Sequence, residues 1–124
     1  MEFVVVALGG AVGSCARYGI GRVLQGAFGN FPAGTLAANV LAGLLIGFVT
    51  GLAAATGMSP RTKLLLTTGL CGGLSTFSTF SLETVTLAQK GAWGMAAANV
   101  AVNVTVCCIA VVAGLWFSRL VATH

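Results

Sequence analysis

An all-α membrane protein with four transmembrane helices is the fold class this sequence predicts. Three observations carry the prediction: 57% of the residues are hydrophobic, only 6% are charged, and the apolar residues gather into four long stretches joined by short turns. A soluble domain averages about 25% charged residues, so this chain lacks the side chains needed to cover itself in water. One helical crossing takes about 20 apolar residues. The 124 residues therefore hold four crossings and leave no room for a separate soluble domain. The whole of 1–124 reads as one four-helix transmembrane domain, multi-pass in the cell (inner) membrane.

The first span is predicted from about Phe3 to Leu24, with Gly9, Gly10 and Gly13 followed by the polar Ser14, Arg17 and Tyr18. A secretory signal is not expected. Glu2 stands where a positive n-region belongs, and Arg17 and Tyr18 stand where small residues would precede cleavage. The second span runs from about Ala33 to Ala55 and opens after Pro32, a residue suited to a first helical turn. The third runs from about Thr62 to Gln89 and the fourth from about Ala92 to Leu120. Glycines at small-xxx-small spacing (Gly9 with Gly13, Gly43 with Gly47 and Gly51, Gly69 with Gly73) let helix backbones approach closely in lipid.

The third span carries the most informative stretch, Gly72-Gly73-Leu74-Ser75-Thr76-Phe77-Ser78-Thr79-Phe80-Ser81. Hydrocarbon offers no water to backbone polar groups. Gly-rich, hydroxyl-rich backbone at that depth is tolerated only where it is buried in protein or lines a polar cavity. The adjacent Gly72 and Gly73 invite a helix break, so the third helix is expected to be broken at mid-membrane.

The net charge of +4 is spread thinly over the span ends, and no basic cluster points to nucleic acid. Arg17, Arg22 and Lys90 fall on one side of the membrane, Arg61, Lys63 and Arg119 on the other. An excess of Lys and Arg normally fixes orientation. With three on each side, both orientations are open, and up-and-down copies can pair as an antiparallel dual-topology homodimer. Cys15, Cys71, Cys107 and Cys108 match neither a CxxC motif nor a zinc site and read as small hydrophobes.

Amides punctuate the spans. Thr35 and Asn39 share a helix face, as do Asn99 and Asn103, with Thr105 nearby. An amide in hydrocarbon needs partners. Any one of these reads as interhelical glue; three of them together with the third-span hydroxyls suggest a polar lane of neutral donors. Glu83, one turn beyond Phe80, is the only acid within a span, and the sole histidine is His124. A proton-coupled transporter would carry a carboxylate or histidine at mid-membrane, and a cation pore acidic or carbonyl rings. Neutral N–H and O–H donors with Arg17 near their mouth suit a small anion. Phe77 and Phe80, three residues apart, are either ordinary apolar packing or a pair whose positive ring edges face that anion. Glu83 either lies near a pore mouth or pairs with a Lys or Arg at the interface, the structural role being the one favoured.

At these residues the chain resembles the small fluoride channels of the Fluc family, also called CrcB. The resemblance covers nearly the whole chain. It includes Gly9-Gly10-Ala11-Val12-Gly13-Ser14-Cys15-Ala16-Arg17-Tyr18, then Gly34-Thr35-Leu36 with Asn39 and Gly43, then Gly69-Leu70-Cys71 leading into the hydroxyl run. It implies a dual-topology homodimer of four-helix subunits that encloses two antiparallel pores. It implies passive, fluoride-selective export rather than an enzyme. Backbone carbonyls around the break, by position those of Gly72 and Ser75 from both subunits, would hold a structural sodium ion at the dimer centre. Phe77 and Phe80 would form an aromatic box for fluoride, with Asn39 as the pore asparagine. Ser78 and Thr79 would form a hydroxyl track, and Asn99 and Asn103 a fourth-helix track. The family often has Thr-Thr-Phe where this chain has Ser75-Thr76-Phe77, and Tyr and Ser where Asn99 and Asn103 stand. Two other readings compete. A small multidrug-type exporter needs a membrane-embedded acid, but Glu2 lies at an edge and Glu83 in the wrong span. A non-conducting membrane subunit would have no use for a broken third helix.

Overall fold

The structure, a computed structural model, describes residues 1–123. Its elements are α1 (Glu2–Val23), α2 (Ala33–Thr56), α3 (Pro60–Leu64), a π-helical segment (Leu65–Cys71), α4 (Gly72–Leu74), α5 (Phe77–Gln89) and α6 (Trp93–Ala122). α1, α2 and α6 are each long and apolar enough to cross a membrane. Between α2 and α6, third in chain order, the remaining helical run comes in pieces, from α3 through the π segment to α4 and then again in α5.

Local chemistry sets the ends. Pro32 is the N-cap of α2 and lies just outside the first turn predicted for it, whereas Pro60 occupies the first turn of α3 behind the cap Ser59, whose hydroxyl accepts the Thr62 N–H. Gly57 closes α2 with φ 68°, a left-handed position that a Cβ would strain.

The helix does not break at Gly72-Gly73. Gly72 keeps helical angles (φ −62°, ψ −37°), and the chain leaves the helix at Ser75 (φ −81°, ψ 152°) and Thr76 (φ −148°, ψ 123°). The glycines serve packing instead. A Cβ on Gly73 would stand 2.6 Å from the Gly10 carbonyl oxygen, so Gly73 is the point where α4 lies directly on α1.

Two glycine seams set the bundle. Gly9 abuts Leu65 and Gly69, and Gly13 abuts Leu70, Gly73 and Leu74. Gly43 abuts Cys107 and Ala110, Gly47 abuts Val111 and Leu115, and Gly51 abuts Ser118. Rising numbers pair with rising numbers, so α1 runs parallel to the π segment and α4, and α2 runs parallel to α6. Short turns then make the path up-down-up-down. Arg61, Lys63 and Arg119 gather at one end, with Glu2. Arg22 and Lys90 gather at the other. The core between the seams is built of small groups, Ala38, Ala42, Cys71 and Leu74, with Ile20 and Leu45 against them. Large apolar side chains such as Phe3, Leu8, Val12, Ile109 and Trp116 stay exposed, as a lipid-facing surface requires.

Candidate functional site

Asn39 of α2 holds the interruption open. Its Oδ1 accepts the Thr76 N–H at 2.8 Å, and its Nδ2 donates to the Thr76 carbonyl at 3.3 Å. The same Nδ2 donates to Asn103 Oδ1 at 3.3 Å. Asn103 Nδ2 donates onward to the Asn99 carbonyl and Oδ1, both at 2.9 Å. Asn99 Nδ2 donates to Thr84 Oγ1 at 2.9 Å, and that hydroxyl donates to the Phe80 carbonyl at 2.8 Å. Amide orientation is normally ambiguous, but the Thr76 N–H can only donate. It fixes Asn39, and each amide fixes the next. One directed chain thus ties α2, α6 and α5 to the break.

The diversion of backbone donors frees particular carbonyls. In a continuous helix each N–H bonds the carbonyl four residues earlier. The Thr76 N–H serves Asn39, so the Gly72 carbonyl loses its helical donor. The Thr79 N–H bonds Thr76 Oγ1 at 3.2 Å, so the Ser75 carbonyl loses its own. Between them, the Gly73 carbonyl accepts Arg17 Nε at 3.1 Å, a cation at the negative end of the upper half-helix. Thr76 also caps α5, and its hydroxyl bonds Thr79 Oγ1 at 3.1 Å. Ser75 turns its hydroxyl back onto the Cys71 carbonyl at 2.9 Å.

Two cavities, largely apolar with polar groups set into their walls, meet at this point. A groove of about 760 Å³ is lined by Asn39, Gly72, Ser75, Thr76, Phe77, Phe80 and Asn103, and extends past Thr67, Thr68 and Thr50 to Lys63. A smaller cavity of about 240 Å³ is lined by Arg17, Tyr18, Arg22, Thr35, Thr76, Thr79 and Glu83. Thr76 lines both. The rings of Phe77 and Phe80 lie 5.5 Å apart, tilted by 55°, within the range of edge-to-face pairs. Phe80 is buried, but Phe77 is 79% exposed.

Six sequence-predicted residues, Asn39, Gly72, Ser75, Phe77, Phe80 and Asn103, line the groove. Arg17 and Thr79 line the smaller cavity. Asn99 is 1% exposed and lines neither; it acts inside the amide chain. Ser78 is exposed on α5 and lines neither cavity. Thr35, on the Asn39 face by spacing, lines the smaller cavity rather than the groove. Glu83 Oε1 is buried there without a hydrogen bond among the described residues, in the company of Arg17 and Arg22. Thr76, Thr84 and Lys63 were missed by the sequence reading. The Thr76-x-x-Thr79 spacing, a hydroxyl cap three residues ahead of the N–H it accepts, is the signal that finds Thr76.

The arrangement places two aromatic rings and one lysine along the groove, where an anion could meet them, and frees carbonyl oxygens, the ligands a hard cation prefers; the hydroxyls of Thr67, Ser75 and Thr76 already donate to protein acceptors. Fold and site define a class: an all-α, multi-pass membrane protein whose interrupted helix stands where two cavities meet. The family described as "CrcB-like protein, Camphor Resistance (CrcB)" matches residues 4–115, and the chain belongs to that family. It is 45% identical over 122 residues to the fluoride-specific ion channel FluC of Shewanella loihica, covering 96% of this chain and 98% of that protein. It is 50% identical over 103 residues to the protein of that name from Aromatoleum aromaticum, covering 82% and 79%. It is 42% identical over 116 residues to the one from Sorangium cellulosum, covering 92% and 91%.

Proposed function

We propose that this chain is a passive, fluoride-selective channel that exports fluoride across the cell (inner) membrane. In this proposal it works as an antiparallel, dual-topology homodimer with two pores. The observation that carries the reading is the interruption at Ser75–Thr76, clamped by Asn39 and flanked by Phe77 and Phe80 at the meeting of two cavities. The relatives named above as fluoride-specific channels support the choice of ion.

A channel must bind its ion well enough to admit it and weakly enough to release it. The groove meets that condition because the charge at the break, Arg17, is engaged on the Gly73 carbonyl and lines the other cavity. The edges of Phe77 and Phe80 would replace part of the hydration shell, and no arginine lines the groove; the hydroxyls of Ser75, Thr76 and Thr67 already donate to protein and would serve the ion only by exchange. The amide N–H groups of Asn39 and Asn103 already bond Thr76 and Asn99, so these residues act first by holding the break and only by exchange as donors to the ion. A ring as exposed as Phe77 at the edge of the groove fits a site that a second subunit completes. The carbonyls of Gly72 and Ser75, with those of the second subunit, would hold a structural sodium ion, whose charge would fasten the two breaks together at the dimer centre. Glu83 supplies the acid that a multidrug-type exporter needs, but it lines the smaller cavity with Arg17 and Arg22 rather than the groove.

The test is fluoride efflux from liposomes that carry the purified protein. Rapid release without ATP or a proton gradient, and no comparable chloride release, is expected. Equal leakage of both ions, or of neither, removes the channel reading.

A further inference from the structure

We propose that Lys63 is an anion-collecting residue: its ammonium stands at the open mouth of the groove and concentrates fluoride there before the ion reaches the neutral path. The inference rests on the channel reading above and adds to it a residue and a mouth.

Among the described residues, Lys63 is the one charged side chain that lines the groove. Neither carboxylate of the chain, Glu2 or Glu83, lines it. Lys63 belongs to α3 and is exposed, at the end of the bundle shared with Arg61 and Arg119 on α3 and α6 and Glu2 on α1. From there the lining continues through neutral hydroxyls, Thr67 and Thr68, to the break. Thr67 donates its hydroxyl to the Lys63 carbonyl at 2.8 Å, so it meets an anion with lone pairs and the ammonium is the strong donor of this stretch. Ser75 follows Lys63 by 12 residues, at most about 18 Å along a helix rising 1.5 Å per residue. A lysine ammonium is a compact point charge with three donors, suited to a small hydrated anion that must be let go again.

A fixed charge in a cleft with low-dielectric walls raises the local counter-ion concentration. The effect depends on screening. The Debye length is about 30 Å at 0.01 M and about 3 Å at 1 M ionic strength, so the field of Lys63 spans the distance to the break in dilute salt and is cut off well short of it in concentrated salt. A lysine at a helix end can instead only anchor its stem in apolar surface and its head at the interface. That role carries no dependence of fluoride flux on ionic strength.

The experiment measures initial fluoride efflux from liposomes at about 0.01 M and about 1 M ionic strength, set with an impermeant salt. Lys63→Gln should lose at least about threefold of the wild-type rate in dilute salt, a modest share of the 10- to 1000-fold range of electrostatic steering, and match wild type in concentrated salt. Lys63→Glu should lose more, and Lys63→Arg should keep the wild-type rate. Arg119→Gln, which removes an exposed charge at the same end outside the groove, should show no salt-dependent loss. A Lys63→Gln rate equal to wild type at both salts, or reduced by the same factor at both, overturns the proposal. So does an equal loss in Arg119→Gln, which would make the effect a general surface potential. If Lys63→Gln elutes abnormally on gel filtration, Lys63→Met against Lys63→Arg carries the same comparison. Failure of the wild-type protein to pass fluoride at either salt would instead strike the channel reading itself.

Discussion

One amide, Asn39, satisfies both backbone groups of Thr76 and one oxygen of Asn103. Asn39→Ala leaves those groups unpaired, and each buried group left without a partner costs about 1–3 kcal/mol. The variant is expected to show a lowered thermal unfolding temperature and a large loss of fluoride flux; wild-type stability would mean that the break is held by something else. Phe77 and Phe80 admit a cleaner separation. An apolar swap of similar size costs under about 1.5 kcal/mol in packing, and less at Phe77, which is 79% exposed. Phe77→Ile and Phe80→Ile should therefore elute normally on gel filtration, yet pass fluoride at least about tenfold more slowly, equivalent to about 1.4 kcal/mol on the barrier. Wild-type flux from the normally eluting double variant would return both rings to a packing role. The identities of these residues were legible in the sequence, because an amide or a ring edge in an apolar span demands an explanation. Their bonding was not. Spacing by four says that Asn99 and Asn103 share a face of α6, but it is silent on the cross-helix partner, and so it did not reveal that Asn39 and Asn103 donate to protein rather than to an open lane.

The helices themselves follow the sequence closely, with α2 predicted from Ala33 to Ala55 and found over Ala33–Thr56. The interruption of the third crossing is displaced from its predicted place. Two adjacent glycines signal a weak point, but a helix leaves its path only where its donors find better partners, and those partners are Asn39 for the Thr76 N–H and Thr76 itself for the Thr79 N–H. Gly73 remains helical because its missing Cβ admits Gly10 of α1. The π-helical segment over Leu65–Cys71 has no counterpart in the sequence reading. Its apolar and hydroxyl residues suit an α-helix equally well. The glycine seam yields an element-scale prediction. A Cβ on Gly13 would run into the Leu70 carbonyl oxygen and the Leu74 backbone nitrogen, whereas one on Gly19, on the same helix, meets nothing within 4 Å. Gly13→Ala should lower stability by about 1–3 kcal/mol, the usual cost of overpacking, and Gly19→Ala should not. Thermal unfolding of the two in detergent decides it; equal stability would show that α1 can shift away from α4 without cost.

The chain exposes 7406 Å² of accessible surface. A compact monomer of 12.4 kDa exposes about 6100 Å² on the scaling for soluble proteins. The excess, about 1300 Å², is more than the roughly 800 Å² that each partner contributes to an interface of standard size. Part of it belongs to the open groove, and the channel reading requires a second copy packed against the rest. The orientation of that copy turns on charge. Arg61, Lys63 and Arg119 lie at one end of the bundle, while Arg22 and Lys90 lie at the other with Arg17 set one turn and more inward, bonded to the Gly73 carbonyl. Arginine engaged on a helix end inside the bundle is a weaker orienting charge than one in a loop, since the bias is read within and near the loops. The effective score is then close to even but not symmetric, which leaves both insertions open while giving neither a strong preference. A cysteine at Met58, in the turn after α2, within a background free of Cys15, Cys71, Cys107 and Cys108, makes the orientation readable. Membrane-impermeant thiol reagent added to one side should label a fraction of the sites, and permeabilising the membrane should expose the rest. Complete labelling from one side alone would fix a single topology and exclude the antiparallel dimer, even if the fluoride pathway itself survived every other test.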